Sequence, residues 1–240
     1  MAEPSYLELL SYGGPNGWGD DLLWGAWKTV QVAASAYTVG IVLGLIGAGA
    51  KLTGRRAAFV VSDVYTTVVR SVPPLLLIVY IFYRAPAGLQ ALARAFGSDS
   101  NIDLDPFFAA VVALGFVEGA YTTEVFRGAI LAVPLGQIDA AKAIGMSWSL
   151  RTRRILLPQM LRYAIPGLGN IWLFTTKDVS LVSVVSLSEL MNAGKQAAGW
   201  TKDYFFFYCI VALCYLVITI ASMVGIARLE RWADRGVRRA

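Results

Sequence analysis

Residues 137–158 read QIDAAKAIGMSWSLRTRRILLP, a segment unlike the greasy stretches on either side of it. Asp139, Ala140, Ala141 and Ala143 give a short helix whose small side chains let a partner surface approach closely. Gly145 follows as a bend, because glycine accepts backbone angles and close approaches that other residues do not. Arg151, Arg153 and Arg154 keep the segment on the wet side of a membrane. Ile155-Leu156-Leu157-Pro158 then opens the next helix, with proline at its start. The plainer reading of the same residues is a basic amphipathic loop lying on lipid head groups.

The flanking composition makes this a membrane protein. Hydrophobic residues are 57% of the 240, and charged residues only 15%, against about a quarter in a soluble domain. Histidine is absent, and the two cysteines, Cys209 and Cys214, lie inside one apolar run. No zinc site, redox pair or disulfide framework can be built from that set. There is also no phosphate-cradling glycine loop and no paired catalytic carboxylates with a base. If ATP drives the protein, another chain binds it. The first twenty residues lack the basic start and apolar core of a signal peptide.

Five spans are expected. Residues 1–22 are polar, acidic and broken at Gly13-Gly14-Pro15, forming a segment ahead of the membrane or a short surface helix. Trp18, Trp24 and Trp27 suit one membrane interface. The first span covers about residues 23–49, and its Gly40 and Gly44 allow close helix packing without naming a partner. The second, about 57–83, contains Pro73-Pro74, which predicts a kink or break lining a cavity. A polar loop over residues 84–105 precedes the third span, about 106–133. After the 137–158 segment come the fourth span, about 163–190, and a loop holding Gly194, Gly199 and Trp200. The last span is about 204–227, and residues 228–240 form a basic tail. The membrane domain is thus 23–227.

Basic residues fix the expected orientation. One side collects Lys51, Arg55, Arg56, Lys142, Arg151, Arg153, Arg154, Arg162 and the tail arginines 228, 231, 235, 238 and 239. The other side has only Lys28, Arg84, Arg94, Lys195 and Lys202. This places the N-terminus outside, the tail in the cytoplasm, and the 137–158 segment in the cytoplasm as well. The net charge of +5 therefore reports loop orientation and not affinity for nucleic acid.

Ionisable groups inside spans cost roughly 2.5–3.5 kcal/mol each at mid-membrane, which makes them functional candidates. Glu118, Tyr121, Glu124 and Arg127 recur every three residues along the third span. Glu124 and Arg127 are close enough to pair, whereas Glu118 has no basic partner within a turn and is the better candidate for a ligand. Its structural alternative is a hydrogen bond to a neighbouring tyrosine. Lys177 and Asp178 neutralise each other or pair across helices with Glu124 or Arg70, and Asp63 meets Arg55, Arg56 or water.

The central segment resembles the "EAA" loop of ABC importer membrane subunits: Glu-Ala-Ala, three residues, Gly, nine residues, Ile-x-Leu-Pro. Asp139, Ala140, Ala141, Gly145, Ile155, Leu157 and Pro158 stand at that spacing, with Asp139 in place of glutamate. Further stretches are similar to the polar amino acid branch, closest to the Q-type subunit of histidine/lysine/arginine/ornithine and opine importers. These are Leu45–Gly49, Arg70-Ser71-Val72-Pro73, Gly119-Ala120-Tyr121, Arg127-Gly128-Ala129, Arg162–Asn170 and Ser180–Ser183. Ser71, where glycine is usual, and Glu118, where an uncharged residue is usual, depart from the pattern. The resemblance implies an all-α, type I ABC importer permease in a bacterial inner membrane, with residues 137–158 as its cytoplasmic coupling helix. It also implies an M-type permease partner or a second copy, two ATPase subunits carrying ATP and Mg, and an extracytoplasmic substrate-binding protein. No cofactor is expected in this chain. The transported amino acid would meet Glu118, Tyr121, Glu124, Arg127, Arg70, Lys177 and Asp178. A stand-alone secondary transporter is the alternative, although no duplicated inverted halves are visible.

Overall fold

A computed structural model describes residues 5–14, 17–97, 105–185 and 187–235. Tail residues Arg238 and Arg239 and most of the loop after residue 97 lie outside them. Among the described residues every regular element is helical: α1 (Tyr6–Leu9), α2 (Gly19–Leu52), α3 (Arg56–Ser71), α4 (Pro74–Ala95) and α5 (Pro106–Leu131). There follow α6 (Leu135–Ala143), α7 (Trp148–Arg151), a π turn (Thr152–Leu156) and α8 (Leu157–Asp178). A 3₁₀ stretch (Val179–Val185), α9 (Leu190–Thr201) and α10 (Tyr204–Ala233) complete the chain. By length and composition α2, α4, α5 and α10 can each cross a membrane, and the bent run 148–185 plus 190–201 supplies a fifth span.

The helices assemble around α2 and α5. Gly40, Gly44 and Gly47 line one stripe of α2, and each faces α5 so closely that a Cβ would stand 3.0 Å from Glu118 Cβ, 2.7 Å from Thr122 Cβ and 2.9 Å from Thr123 Cγ2. On α5, Gly115 and Gly119 return the approach, with Val39 Cβ and Leu43 Cβ at 2.7 and 2.8 Å from their missing Cβ positions. Lipid offers no hydrophobic drive for helix association, so close backbone packing of this kind does that work. The Thr122 hydroxyl adds a 2.6 Å hydrogen bond across the seam to the Gly40 carbonyl. The glycine pair anticipated at 40 and 44 therefore has α5 as its partner.

Three expectations change. The second span is two helices, because Val72 turns extended (φ −101°, ψ 137°) ahead of Pro73. This is the conformation that a following proline imposes. Residues 84–95, expected as polar loop, continue α4 through Pro86; their alanines, leucine and arginine are good helix formers. The loop around Gly194 and Gly199 is helix α9, nucleated by Glu189, whose carboxylate caps Met191 N and Asn192 N at 2.9 and 2.7 Å. It is bent 50° from the helix before it. Pro158 stands in the first turn of α8, as its sequence context anticipates, and ahead of it the run from Trp148, capped by Ser147, crosses a π turn. A wider turn there suits a residue without an amide hydrogen.

The N-terminal segment carries a short helix, α1, whose Leu9 is buried with Leu22, Leu190 and Phe207 against α2, α9 and α10. Helix α2 itself starts at Gly19, and Trp18 meets Trp200 at 6.3 Å between ring centroids.

The α2–α5 seam sets a clear expectation for two glycines. Gly44→Ala places a methyl on Thr122 and should cost about 1–3 kcal/mol, lowering the thermal midpoint in detergent by several degrees. Gly49→Ala, with open space at its Cβ position, should leave the midpoint unchanged or slightly raised. Equal midpoints for both variants would contradict the close-packed seam.

Candidate functional site: an exposed helical elbow and a polar membrane interior

Helix α6 ends in a complete glycine cap. Gly145 stands at φ +77°, its N–H donates to the Lys142 carbonyl at 2.9 Å, and the Met146 N–H donates to the Ala141 carbonyl at 3.0 Å. That paired arrangement is a Schellman motif and requires the left-handed region that glycine occupies without strain. Of the two roles open to Gly145, the backbone angle is the one in force, since nothing among the described residues lies within 4 Å of its Cβ position.

The same elbow turns an unusual surface outward. Asp139 pairs with Lys142 at 2.8 Å, on the outside. Ala141 is buried while Ala140 is exposed. Ile144 and Trp148 are 78% and 72% exposed. Trp148 borders a cavity of about 300 Å³ with Leu135, Ile138, Arg151 and Leu156. Large apolar groups standing free among charges on a polar segment mark an interaction surface. The far half of the motif holds the elbow to the bundle. Ile155 is half-buried, Leu157 and Pro158 are exposed, and between them Leu156 joins Met160, Val133 and Ile138 in one apolar cluster. Gln159 Nε2 donates to Gln137 Oε1 at 2.6 Å, tying α8 to α6.

The polar interior divides into two groups. In the first, Lys51 at the end of α2 is 3% exposed at its side chain and donates to Asp63 (2.8 Å), Thr66 (2.7 Å) and Glu124 (2.6 Å). All three ammonium hydrogens are thereby used. Arg127 also meets Glu124, as the spacing suggested, at a longer 3.5 Å. Arg70 lies over the Tyr121 ring at 5.5 Å. Asp63 thus pairs with Lys51, and not with Arg55 or Arg56. Lys51 escaped the sequence reading because a cation at a helix end ordinarily reaches out to water. The signal was its register: Gly40, Gly44, Gly47 and Lys51 share the stripe that faces α5.

The second group surrounds Glu118, which is 3% exposed. It packs against Gly40 of α2, with the Asp178 carboxylate within electrostatic reach on α8; the Thr175 hydroxyl nearby donates to the Ile171 carbonyl at 2.9 Å. Nor does a tyrosine donate to it as anticipated: the Tyr37 hydroxyl donates to the Leu168 carbonyl at 2.9 Å. Lys177 and Asp178 make no ion pair with Glu124 or Arg70 among the described residues; the Lys177 ammonium lies 5.5 Å from the Phe174 ring. A third carboxylate, Glu189, is fully buried. Besides capping α9 it accepts from Thr29 at 3.3 Å and Tyr215 at 3.2 Å. Glutamate is an uncommon helix cap, so its sequence context gave little warning.

Removing one member of a buried ion cluster strands the others. Lys51→Met should therefore destabilise the protein by about 3 kcal/mol, near the lower end for a broken buried pair because Asp63 and Glu124 are partly exposed. Adding Glu124→Gln should restore much of the loss. Unfolding midpoints in detergent test this, and a single variant as stable as the parent would contradict the cluster's role.

Comparison with known proteins assigns the architecture. Residues 40–239 match the family described as binding-protein-dependent transport system inner membrane component. The nopaline transport system permease protein NocQ of Agrobacterium fabrum is 47% identical over 97% of this chain and 98% of its own length. The histidine/lysine/arginine/ornithine transport system permease protein HisQ of Salmonella typhimurium is 41% identical, over 93% and 98%. A solved amino acid ABC transporter with histidines superposes with a TM-score of 0.75 at 28% identity, covering 89% of this chain and 94% of that one. The MetNI methionine ABC transporter, at 21% identity and a TM-score of 0.71 over 89% and 96%, shares the fold. The chain belongs to the family of binding-protein-dependent transport system inner membrane components, and is the permease subunit of an ABC importer, neither an enzyme nor a stand-alone transporter.

Proposed function

We propose that this permease takes up cationic amino acids or opines by alternating access. The reading rests on two carboxylates, buried Glu118 of α5 and half-buried Asp178 of α8, which lie within electrostatic reach of each other. Two acids in a low-dielectric interior favour a cation between them. The relatives' names point the same way: one carries nopaline, another histidine, lysine, arginine and ornithine. Tyr121, with Arg70 over its ring, Glu124 and Arg127 extend the polar path along α5 towards the α6 end, while Lys177 sits beside Asp178 on α8. Glu118 is closed off in this conformation, so substrate reaches it when α8 moves relative to α2 and α5.

In this reading the elbow bearing Asp139, Ala140, Ala141 and Gly145 is the coupling helix, seated in a groove on a cytoplasmic ATPase. Two such ATPases hold ATP and Mg. A related M-type permease completes the pore, an extracytoplasmic binding protein delivers substrate, and the N-terminus lies outside with the basic tail in the cytoplasm. Ile144 and Trp148 then supply the apolar contacts of the docked elbow, and the exposed Asp139–Lys142 pair supplies its polar rim.

Charge-assisted hydrogen bonds contribute about 1.5–3 kcal/mol, equivalent to roughly tenfold or more in affinity. Glu118→Gln should therefore reduce arginine uptake in proteoliposomes of the whole transporter by about tenfold relative to glutamine uptake. An unchanged ratio of arginine to glutamine transport, with both falling together, would remove Glu118 from substrate selection.

A further inference from the structure

The cavity of about 300 Å³ at the elbow is bounded by the end of α5, by α6 and by the run from Trp148 to Leu156. Val133, Ile138 and Leu156 in its wall belong to the apolar cluster that holds the elbow to the bundle. Leu131, Leu135 and Trp148 form its rim; they are 59%, 77% and 72% exposed, so the hollow opens outward. An apolar cavity of about 150 Å³ takes a benzene ring, so this one takes a phenylalanine- or leucine-sized side chain. An apolar rim standing free on a polar segment marks a surface that a partner covers.

The charges around this hollow are mostly of one sign. Residues 135–158 carry Lys142, Arg151, Arg153 and Arg154 against a single acid, Asp139, and Asp139 is taken by Lys142 at 2.8 Å. Arg151 lines the hollow half-buried, while Arg153 and Arg154 are exposed beside it in the π turn. None of the three arginines makes a hydrogen bond or ion pair among the described residues. A half-buried guanidinium set against apolar walls calls for a carboxylate that arrives with an apolar body. An acyl chain needs a groove along a span, such as the cavity of about 620 Å³ that follows α10 from Val217 to Leu229. The elbow hollow has about half that volume and is lined wholly by residues between 130 and 156, which suits one side chain of a protein.

We propose that the ATPase docks by inserting one large apolar side chain into the elbow hollow, with carboxylates around it that pair with Arg151, Arg153 and Arg154. This rests on the elbow being the coupling surface, and adds the chemistry of the partner face: apolar at its centre and acidic at its edge. The contact is then reciprocal, with Ile144 standing out from the elbow and the partner's side chain entering it. A helix lying in a groove can be pushed by its partner. One that also holds a partner side chain against Val133 and Leu156 can be pulled back as well, which suits a cycle in which two ATPases close and part. An apolar anchor ringed by polar pairs is where interfaces concentrate their binding energy.

The test is photo-cross-linking in the whole transporter, with p-benzoylphenylalanine in place of Leu131 at the rim of the hollow or, separately, in place of Asp139 on α6. Both positions should link to the ATPase, and the peptide joined at position 131 should contain a large apolar residue. A link from position 139 to the ATPase, with position 131 joined only to lipid or to the second permease chain, overturns the insertion and leaves the coupling surface in place. Absence of ATPase from both positions overturns both readings. The acidic edge is tested by titrating the ATPase onto the permease pair in nanodiscs. Arg151→Glu should weaken binding about tenfold, the scale of one lost anchor contact, and Arg151→Lys should recover most of it. Parental affinity in Arg151→Glu overturns the acidic edge.

Discussion

Helices α2 and α5 meet backbone against backbone, and the other parts of the bundle are placed by that contact. In a solvent as apolar as the side chains, two helices stay together through close packing and a few well-made polar contacts. Gly40, Gly44 and Gly47 on one side and Gly115 and Gly119 on the other make the approach possible. Thr122 locks it from above and Lys51 from below. Lys51 also reaches α3 through Asp63 and Thr66, so a single ammonium joins three helices just above the elbow that leaves α5. Glu124 and Lys51 thus lie between the elbow and the Glu118 level, which is one to two turns further along α5.

The rigid pair contrasts with what surrounds it. Helix α8 carries two departures from regular geometry, a π turn before Pro158 and a 3₁₀ stretch after Asp178. It is also bent against α9 at residues capped by the buried Glu189. Irregular helix in a membrane persists where protein or cavity satisfies the freed groups, and π turns gather at functional positions. In this permease those irregular turns bracket α8, the helix that brings Thr175 and Asp178 to Glu118. A fixed α2–α5 wall and a segmented α8 give alternating access a physical basis: one side of the polar interior is held while the other can shift.

Much of this was legible in the chain. The seven motif residues from Asp139 to Pro158 announced an elbow, and the positive φ of Gly145 is what their spacing asked for. Five spans and the proline break were readable from hydropathy and Pro73. Partners were not. A glycine stripe states that something approaches, but the identity of α5 depends on the three-dimensional order of helices. Lys51 looked like an interfacial cation because position alone cannot separate reaching outward from turning inward. Helix α9 hid behind two glycines and a tryptophan, since its stability comes from Leu190, Ala197 and Ala198 buried among α2 and α10 and not from local propensity. Glu118 could be singled out for its lack of a basic neighbour, while its packing on Gly40 and its electrostatic neighbour Asp178 come from two other helices.

The proposed role of the elbow, as the surface through which an ATPase drives the bundle, is measured most directly by ATPase association with elbow variants. Gly145→Asp strains the left-handed cap and adds a charge; Asp139→Lys reverses the rim beside Lys142. Each variant, co-expressed with its ATPase and purified through a tag on this chain, should insert and fold normally. Each should also lose most of the co-purifying ATPase and nearly all uptake in proteoliposomes. Full ATPase recovery with parental transport rates from both variants would contradict the assignment of residues 137–158 as the coupling surface.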